Sequence, residues 1–375
     1  MTIIIKEVTN QSDLRRFIQF PHKLYAGNPY WVPNLRSDER NTLHWNKNPA
    51  HAFCTAKYWL AYKDGKIAGR IAGIINPRYE ERWQNAYARF GWIDFVDDMD
   101  VSLALLHTVE KWAKDQGMNS IHGPLGFTDL DPEAMLIEGF DEMGTLAAIY
   151  NYPYYGVHME KAGYIKDVDW VEYEIKVPQG GIERISKLAV IVEDRYHLHF
   201  LAAKTKKQLL RYAHQLFELL DEAYQHLYGV TPLTSDQMNA YIEQYLGFIS
   251  PEFVPIVLDE NDRMVAFGIA MPSLSNALRK SGGKILPFGF IHLLHALHKN
   301  DKGDLYLVAV RKDFQSKGVN AMLITHLLDV FSRMGITSVE SNPELENNLQ
   351  VQTQWKHFET RQHKRRRVFI KHFST

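Results

Sequence analysis

Cysteine is nearly absent. Cys54 is the only one in 375 residues, so no internal disulfide can form. That economy suits a reducing compartment, and a cytoplasmic protein is expected. No apolar run approaches the ~20 residues that span a bilayer. The opening MTIIIKEVT lacks a basic segment followed by a long apolar stretch, so no secretory signal is expected. Charge of one sign is also lacking: 43 Lys and Arg oppose 44 Asp and Glu, which argues against generic nucleic-acid binding. Serine and cysteine nucleophile motifs, phosphate-binding Walker motifs and dinucleotide fingerprints are missing. What remains is ordinary for globular protein, 45% apolar and 23% charged, at a length that suits about two domains.

Against these absences the stretch Leu305–Ala321 stands out. LYLVAV reads as a buried strand, RKDFQSKGVN as a polar turn, and the following AMLITHLLDVFSRMG as a helix. A strand feeding such a turn at a helix N-terminus aims backbone N–H groups outward and makes an anion site. At Gly318 a phosphate can approach the main chain because no Cβ stands in the way. The turn Gln315, Ser316, Lys317, Gly318, Val319, Asn320, Ala321 is therefore expected to hold a phosphorylated ligand. The plainer alternative is that Gly318 only starts a helix and Gln315 faces solvent.

The chain also repeats its order of elements. Lys57–Ile75 alternates around Asp64-Gly65, a strong hairpin signal, and Phe253–Met271 does so around Asp262. Gly91–Val96 and Leu305–Val310 read as matching strands. Each leads to an amphipathic helix, Ser102–Gln116 and Met322–Met334, that stops at Gly117 or Gly335. Short strands follow at Ser120–His122 and Ser338–Glu340, then a further helix and an extended segment, Trp170–Val177 or Arg367–Phe373. Turn residues Pro178-Gln179-Gly180-Gly181 mark the boundary. A helical segment, Lys206–Leu227, then opens the second half. Alternating strands and helices argue an α/β architecture.

Gln315-x-x-Gly318-x-Asn320 after Val308-Ala309-Val310 resembles the acyl-CoA motif Q/R-x-x-G-x-G/A of the GCN5-related N-acetyltransferases (GNAT). The doubled element order resembles tandem members of that superfamily. Asn320 replaces the second small residue, and Asn tolerates positive φ better than other side chains. The resemblance implies a mixed α/β fold of two domains, 1–178 and 179–375, each a mostly antiparallel twisted sheet flanked by helices. The first would be a degenerate copy, because Val96 runs into Asp97-Asp98-Met99-Asp100, whose carboxylates would repel a pyrophosphate. The second would bind acetyl-CoA or another acyl-CoA. Val308 and Val310 would contact its pantetheine arm through the backbone, and a main-chain N–H near Val310 would steady the oxyanion.

Further roles follow from the same likeness. Asp304 stands where some members carry a glutamate base, and would act through water; Glu340, on the next strand, is the other carboxylate that could face the cleft. Equally, Asp304 reads as a solvated loop residue and Glu340 as an ion-paired strand end. Asn347 and Asn348, in preference to Asn342, match an asparagine that touches pantetheine or diphosphate, though a loop and helix cap would use the same residues. Lys317 and Arg311 could reach phosphates. Trp355 stands where many members carry a Tyr that protonates the leaving thiolate, which indole cannot do.

Outside the motif, Tyr150, Tyr152, Tyr154 and Tyr155 read as a binding wall or as packing between halves. Gly123-Pro124-Leu125-Gly126-Phe127 reads as a shaped turn facing the same region. The segment Ser273–Asp304, with Ser281-Gly282-Gly283 inside it, reads as a lid. Its His292, His295 and His298 lack interleaved carboxylates, so no metal is expected. The basic run Arg361–Lys371 reads as a solvated edge strand or as a contact for an acidic partner. The expected activity is N-acyl transfer, acetyl transfer foremost, from acyl-CoA to a small-molecule or peptide amine by direct attack. Neither a membrane nor nucleic acid is expected as partner; an acidic carrier protein is a further candidate. Two alternatives stay open: a donor on acyl-carrier protein or aminoacyl-tRNA, and a non-catalytic CoA-binding or regulatory protein.

Overall fold

The computed structural model describes residues 2–246 and 248–374. The first part of the chain runs β1 (Ile3–Glu7), α1 (Gln11–Leu24), α2 (Arg36–Leu43), β2 (Thr55–Lys63), β3 (Lys66–Ile75), α3 (Pro77–Trp83), β4 (Tyr87–Phe95) and α4 (Met99–Asp115). It continues through β5 (Ser120–Gly123), β6 (Met135–Glu138), α5 (Tyr154–Lys161) and β7 (Ile165–Lys176). The second part opens with α6 (Glu183–Tyr196), β8 (His199–Phe200), α7 (Lys206–Leu210), α8 (Ala213–Tyr224) and α9 (Ser235–Leu246). Then come β9 (Ile256–Leu258), β10 (Met264–Pro272), α10 (Ser275–Ser281), α11 (Gly289–His298), β11 (Lys302–Val310) and α12 (Asn320–Met334). Last are β12 (Ser338–Glu340), β13 (Glu344–Leu345), α13 (Leu349–Gln352) and β14 (Thr360–His372).

Local chemistry explains most of these boundaries. Asp64 and Gly65 take φ of 49° and 76°, the left-handed pair that a tight hairpin between β2 and β3 requires. The acidic run after β4 is a helix cap: the Asp98 carboxylate accepts from the amides of Asp100 and Val101 at the start of α4. Both α4 and α12 end where Gly117 and Gly335 turn left-handed. Helix α4 lies close on the sheet because Gly73 of β3 has no side chain; a Cβ there would meet the Trp112 ring at 2.6 Å.

Among the described residues fourteen strands join one sheet in the order β1-β2-β3-β4-β5-β14-β7-β12-β11-β10-β9-β8, with β6 on β14 and β13 on β7. The mixed sheet is mostly antiparallel; β4 with β5 and β11 with β12 are its parallel pairs. The two long closing strands are exchanged. β14 pairs with β5 (Phe369 opposite Gly123), whereas β7 pairs with β12 (Ile175 opposite Val339), and the two lie against each other.

This placement corrects the solvated-edge reading of the basic run. β14 is an interior strand, and Lys364 and Arg366 are buried. Lys364 pairs with Glu340 and, at 3.3 Å, with Glu172; Arg366 pairs with Glu172. Outward neighbours are answered too: Arg361 by Glu142 and Glu174, Arg365 by Glu346, Arg367 by Asp169. A buried cation must be paired because desolvation otherwise far exceeds what a strand position supplies.

Candidate functional site

The turn after β11 has free amides. Ser316 and Gly318 take φ of 60° and 85° on either side of Lys317. Among the described residues the N–H groups of Ser316, Gly318, Val319 and Asn320 donate to no protein acceptor, while those of Lys317 and Ala321 bond to the Phe314 and Gly318 carbonyls. Amides left open in a turn at a helix start form an anion-binding concavity. The Gln315 side chain donates to the Val310 carbonyl at 3.1 Å and so braces the turn. Lys317 lies over the rings of Tyr196 and Phe314. Arg311 is committed to Asp259 and Asp313, so it does not extend toward the turn as a free cation.

The strand leading into the turn has one open edge. β11 pairs with β12 only over Lys302–Asp304. Beyond that point β12 ends at Glu340, and Leu305–Val310 stays bonded to β10 alone. Arg311 N–H bonds to Val265 on the β10 side, so the alternate residues Val310, Val308 and Tyr306 face the opening. Side chains meet all three of their carbonyls: Tyr224 donates to Val308 at 3.0 Å, Asn342 to Tyr306 at 2.8 Å and Gln315 to Val310 at 3.1 Å.

That edge borders a cavity of about 500 Å³. Leu307 and Val308 of β11, Asn320, Leu323 and Ile324 of α12, and Leu216 of α8 are part of its wall, so it begins beside the turn. The buried Oδ1 of Asn320 has no hydrogen-bond partner among the described residues. The far wall comes from the first part of the chain: Leu130, Asp129, Asp131 and Glu133 from the loop after β5, and Asp38 from α2. Most of the wall is apolar or aromatic, as in sites that take an organic ligand.

Carboxylates are the exception in that wall. Among the described residues no Lys, Arg or His nitrogen comes within 4.0 Å of Asp129, Asp131 or Glu133. Asp131 is fixed by the amides of Phe127 and Thr128 at 2.8 and 3.3 Å, and a Cβ on Gly126 would strike it at 2.2 Å. Burial pushes the Asp131 carboxyl up to about 6, and burial with the charge of Asp129 pushes Glu133 well above the usual range. Across the cavity Glu344 accepts from the Trp355 indole at 2.8 Å through Oε1, while its buried Oε2 has no partner. Burial raises Glu344 to about 7.

The residues singled out in the sequence divide accordingly. Val308, Asn320 and Asn348 line the cavity, and Val310 ends its open edge. Asn347 is exposed and lies outside the wall; it is Asn342 that touches β11. Asp304 is buried but does not line the cavity, because at that point β11 is closed by β12. Its carboxyl meets Ser273 and the Tyr306 hydroxyl, and burial with neighbouring Glu340 raises it to about 7. Glu340 is ion-paired with Lys364, as its plainer reading held. With Glu172 and His363 it forms a trio at metal-ligand distances, but Lys364 and Arg366 already answer that charge. The tyrosines of 150–155 pack on one another and on Tyr25; the Tyr155 hydroxyl donates to Asp94 and shares a hydrogen bond with the Tyr25 hydroxyl. Sequence reasoning passed over Tyr224, Glu344 and the Asp129–Glu133 loop. Three acids at alternate positions beside Pro132 were the available signal, and they also describe any solvated loop.

A strand opening beside a turn of free amides at a helix start is the arrangement that the sequence resemblance implies. A model of the Acetyltransferase (GNAT) family matches residues 213–352. Across 100% of this chain and 99% of its own, with a TM-score of 0.56 and 10% identity, the fold is that of a tandem GNAT protein from the clavulanic acid biosynthesis pathway. Protein YghO of Escherichia coli is 28% identical over 378 residues, covering 98% of this chain and 95% of its own. The bacterial ceramide synthase of Caulobacter vibrioides is 26% identical over 324 residues, covering 84% and 82%. The second part of the chain thus matches the GNAT family model, and the whole chain has the fold of a tandem GNAT protein.

Proposed function

We propose that the protein transfers an acyl group from acyl-CoA to the amino group of an apolar, long-chain amine. The observation that carries this is the cavity of about 500 Å³, far larger than an acetyl group fills, with unpaired carboxylates set in an apolar wall. A free amine with a hydrocarbon chain matches both: its ammonium would supply the cation that the Asp129 and Glu133 carboxyls lack and so favour their ionised form, and its chain would lie on the leucine-rich surface. The likeness to a ceramide synthase agrees, since a ceramide is a fatty amide of a long-chain amino alcohol.

Acyl-CoA supplies an activated thioester carbon. The free amides of Ser316, Gly318, Val319 and Asn320 would hold its pyrophosphate, and the open edge at Val308 and Val310 its pantetheine. Glu344, raised to about 7, is matched to take the proton that an attacking amine must lose. Backbone N–H on the open edge faces the place where oxyanion charge develops. Asp304, not in the wall, has no direct part in this scheme.

The test is to incubate the purified protein with acyl-CoA thioesters of increasing length and amines ranging from small to long-chain amino alcohols. Thiol release and product mass are followed. An amide of the long-chain amine is the expected product. Release confined to small amines would overturn the apolar acceptor, and CoA binding without thiol release from any amine would overturn N-acylation.

A further inference from the structure

The segment read as a lid folds as two packed helices, α10 and α11, and one of them is apolar on both sides. Leu293 and Ala296 of α11 are buried with Met271, Leu278 and the partly buried Tyr306 and Phe248. Met271, Tyr306 and Phe248 also line the acyl cavity, so the two helices back directly onto its wall. The opposite face of α11 is open to solvent: Phe290, Ile291 and Leu294 are 41%, 52% and 51% exposed. Their spacing of one, three and four residues puts them on one stripe. Just before the helix, Leu286 and Phe288 are 73% and 69% exposed. His292, His295 and His298 are exposed on the same helix, but large apolar side chains clustered on the outer face of a surface helix mark an interaction site.

The charge around this patch is all of one sign. No Asp or Glu occurs between Asp262 and Asp301. Lys280, Lys284 and Lys299 are exposed beside the apolar stripe, with Arg279 partly exposed. Among the described residues none of the four has a carboxylate within 4.0 Å, although nearly every cation of β14 does. Apolar side chains ringed by unpaired cations are the pattern of an element lying in the headgroup region of an anionic bilayer. We infer that α10–α11 is a membrane-docking element for anionic lipid, which seats the chain on a bilayer with the cavity wall directly behind the contact. Among the described residues no helix is long and apolar enough to cross a membrane, so the proposed contact is with the surface. This inference stands on the patch and its charge, and holds whether or not the acceptor is a long-chain amine.

The experiment is flotation of the intact protein with phosphatidylcholine vesicles, with and without phosphatidylglycerol, at low and high salt. Binding is expected only with the anionic lipid and is weakened by salt. The double variant Phe288→Ser with Ile291→Ser is expected to lose binding. Lys280→Gln, Lys284→Gln and Lys299→Gln are each expected to weaken it roughly fivefold, as about 1 kcal/mol per cation requires. The pair Val190→Ser with Ile191→Ser, equally exposed but on α6, serves as a control and is expected to bind as the parent does. Failure of the parent to float with anionic vesicles would overturn the proposal, as would equal loss in the α6 control. Concentration-dependent dimers abolished by the Phe288 and Ile291 changes would assign the patch to self-association and overturn it too.

Discussion

Tyr224 donates its phenolic hydrogen to the Val308 carbonyl at 3.0 Å, which ties α8 to the open edge of β11. Burial pushes this phenol up to about 12, so it remains a donor throughout the neutral range. Tyr224→Phe would leave a buried carbonyl without its partner, at about 1–3 kcal/mol of stability. A drop of that size in urea unfolding is expected, with a larger fall in kcat/KM than in stability. An unchanged kcat/KM beside the stability loss would show that the edge does not position the donor.

Glu344 is expected to make both activity and stability depend on pH. Its carboxyl is raised from the ordinary 4.5 to about 7 by burial, so the folded state holds the proton more tightly than the unfolded one. That favours folding fully below 4.5, and the benefit disappears as pH rises through about 7. Glu344→Gln is expected to flatten this part of the Tm-against-pH curve. The rate of the parent should climb through the same region as the base form appears, and the variant should lose about 10²–10⁴-fold in kcat with no such climb. A parent-like pH profile in the variant would remove Glu344 from the chemistry.

Ser316→Asp tests the turn without disturbing the core. Position 316 is exposed and left-handed, a conformation Asp accepts more readily than most side chains. Its carboxylate would stand beside the free amides and oppose a phosphate. CoA affinity by calorimetry is expected to fall by about tenfold or more, a ~1.4 kcal/mol penalty, at unchanged Tm. Equal affinity would mean that the phosphates lie elsewhere. Gly318 is a poorer choice, since a Cβ there would meet Val192 of α6 at 3.2 Å in a strained backbone.

Lys364→Met would strand Glu172 and Glu340 beside a single remaining buried cation, Arg366. Removing one member of a buried ionic network costs about 3–5 kcal/mol. Denaturant unfolding should report a loss of that order. Adding Glu340→Gln should recover part of it; no recovery would show that the loss reflects packing of the lysine stem.

Features set by neighbouring residues were legible in the sequence. The Asp64-Gly65 hairpin, the glycine stops at Gly117 and Gly335, and the strand, turn and helix around Gly318 each depend on a few adjacent side chains. The exchange of β7 and β14 was not legible, because a strand's pattern states which face is buried and not which strand lies beside it. That is also why Arg361–Lys371 read as an edge: alternation of charge looks the same whether the partner is water or Glu172. Asp304 illustrates the limit for the site. It was read as the residue before the strand, whereas β11 begins at Lys302 and takes it in, and where β12 closes on β11 is set by residues far along the chain. Glu344 and the Asp129–Glu133 loop carry no spacing that separates them from surface acids until the cavity places them together.

The crossing of β7 and β14 also bears on how the molecule comes to be. The segment Thr360–His372 follows every other strand in order of synthesis, yet it occupies the middle of the sheet. Neither flank can be completed as the ribosome releases it, and β5 waits unsatisfied until that late arrival zips the halves shut. Completion of the sheet therefore rests on pairings between segments far apart in the chain, a topology that favours slow folding.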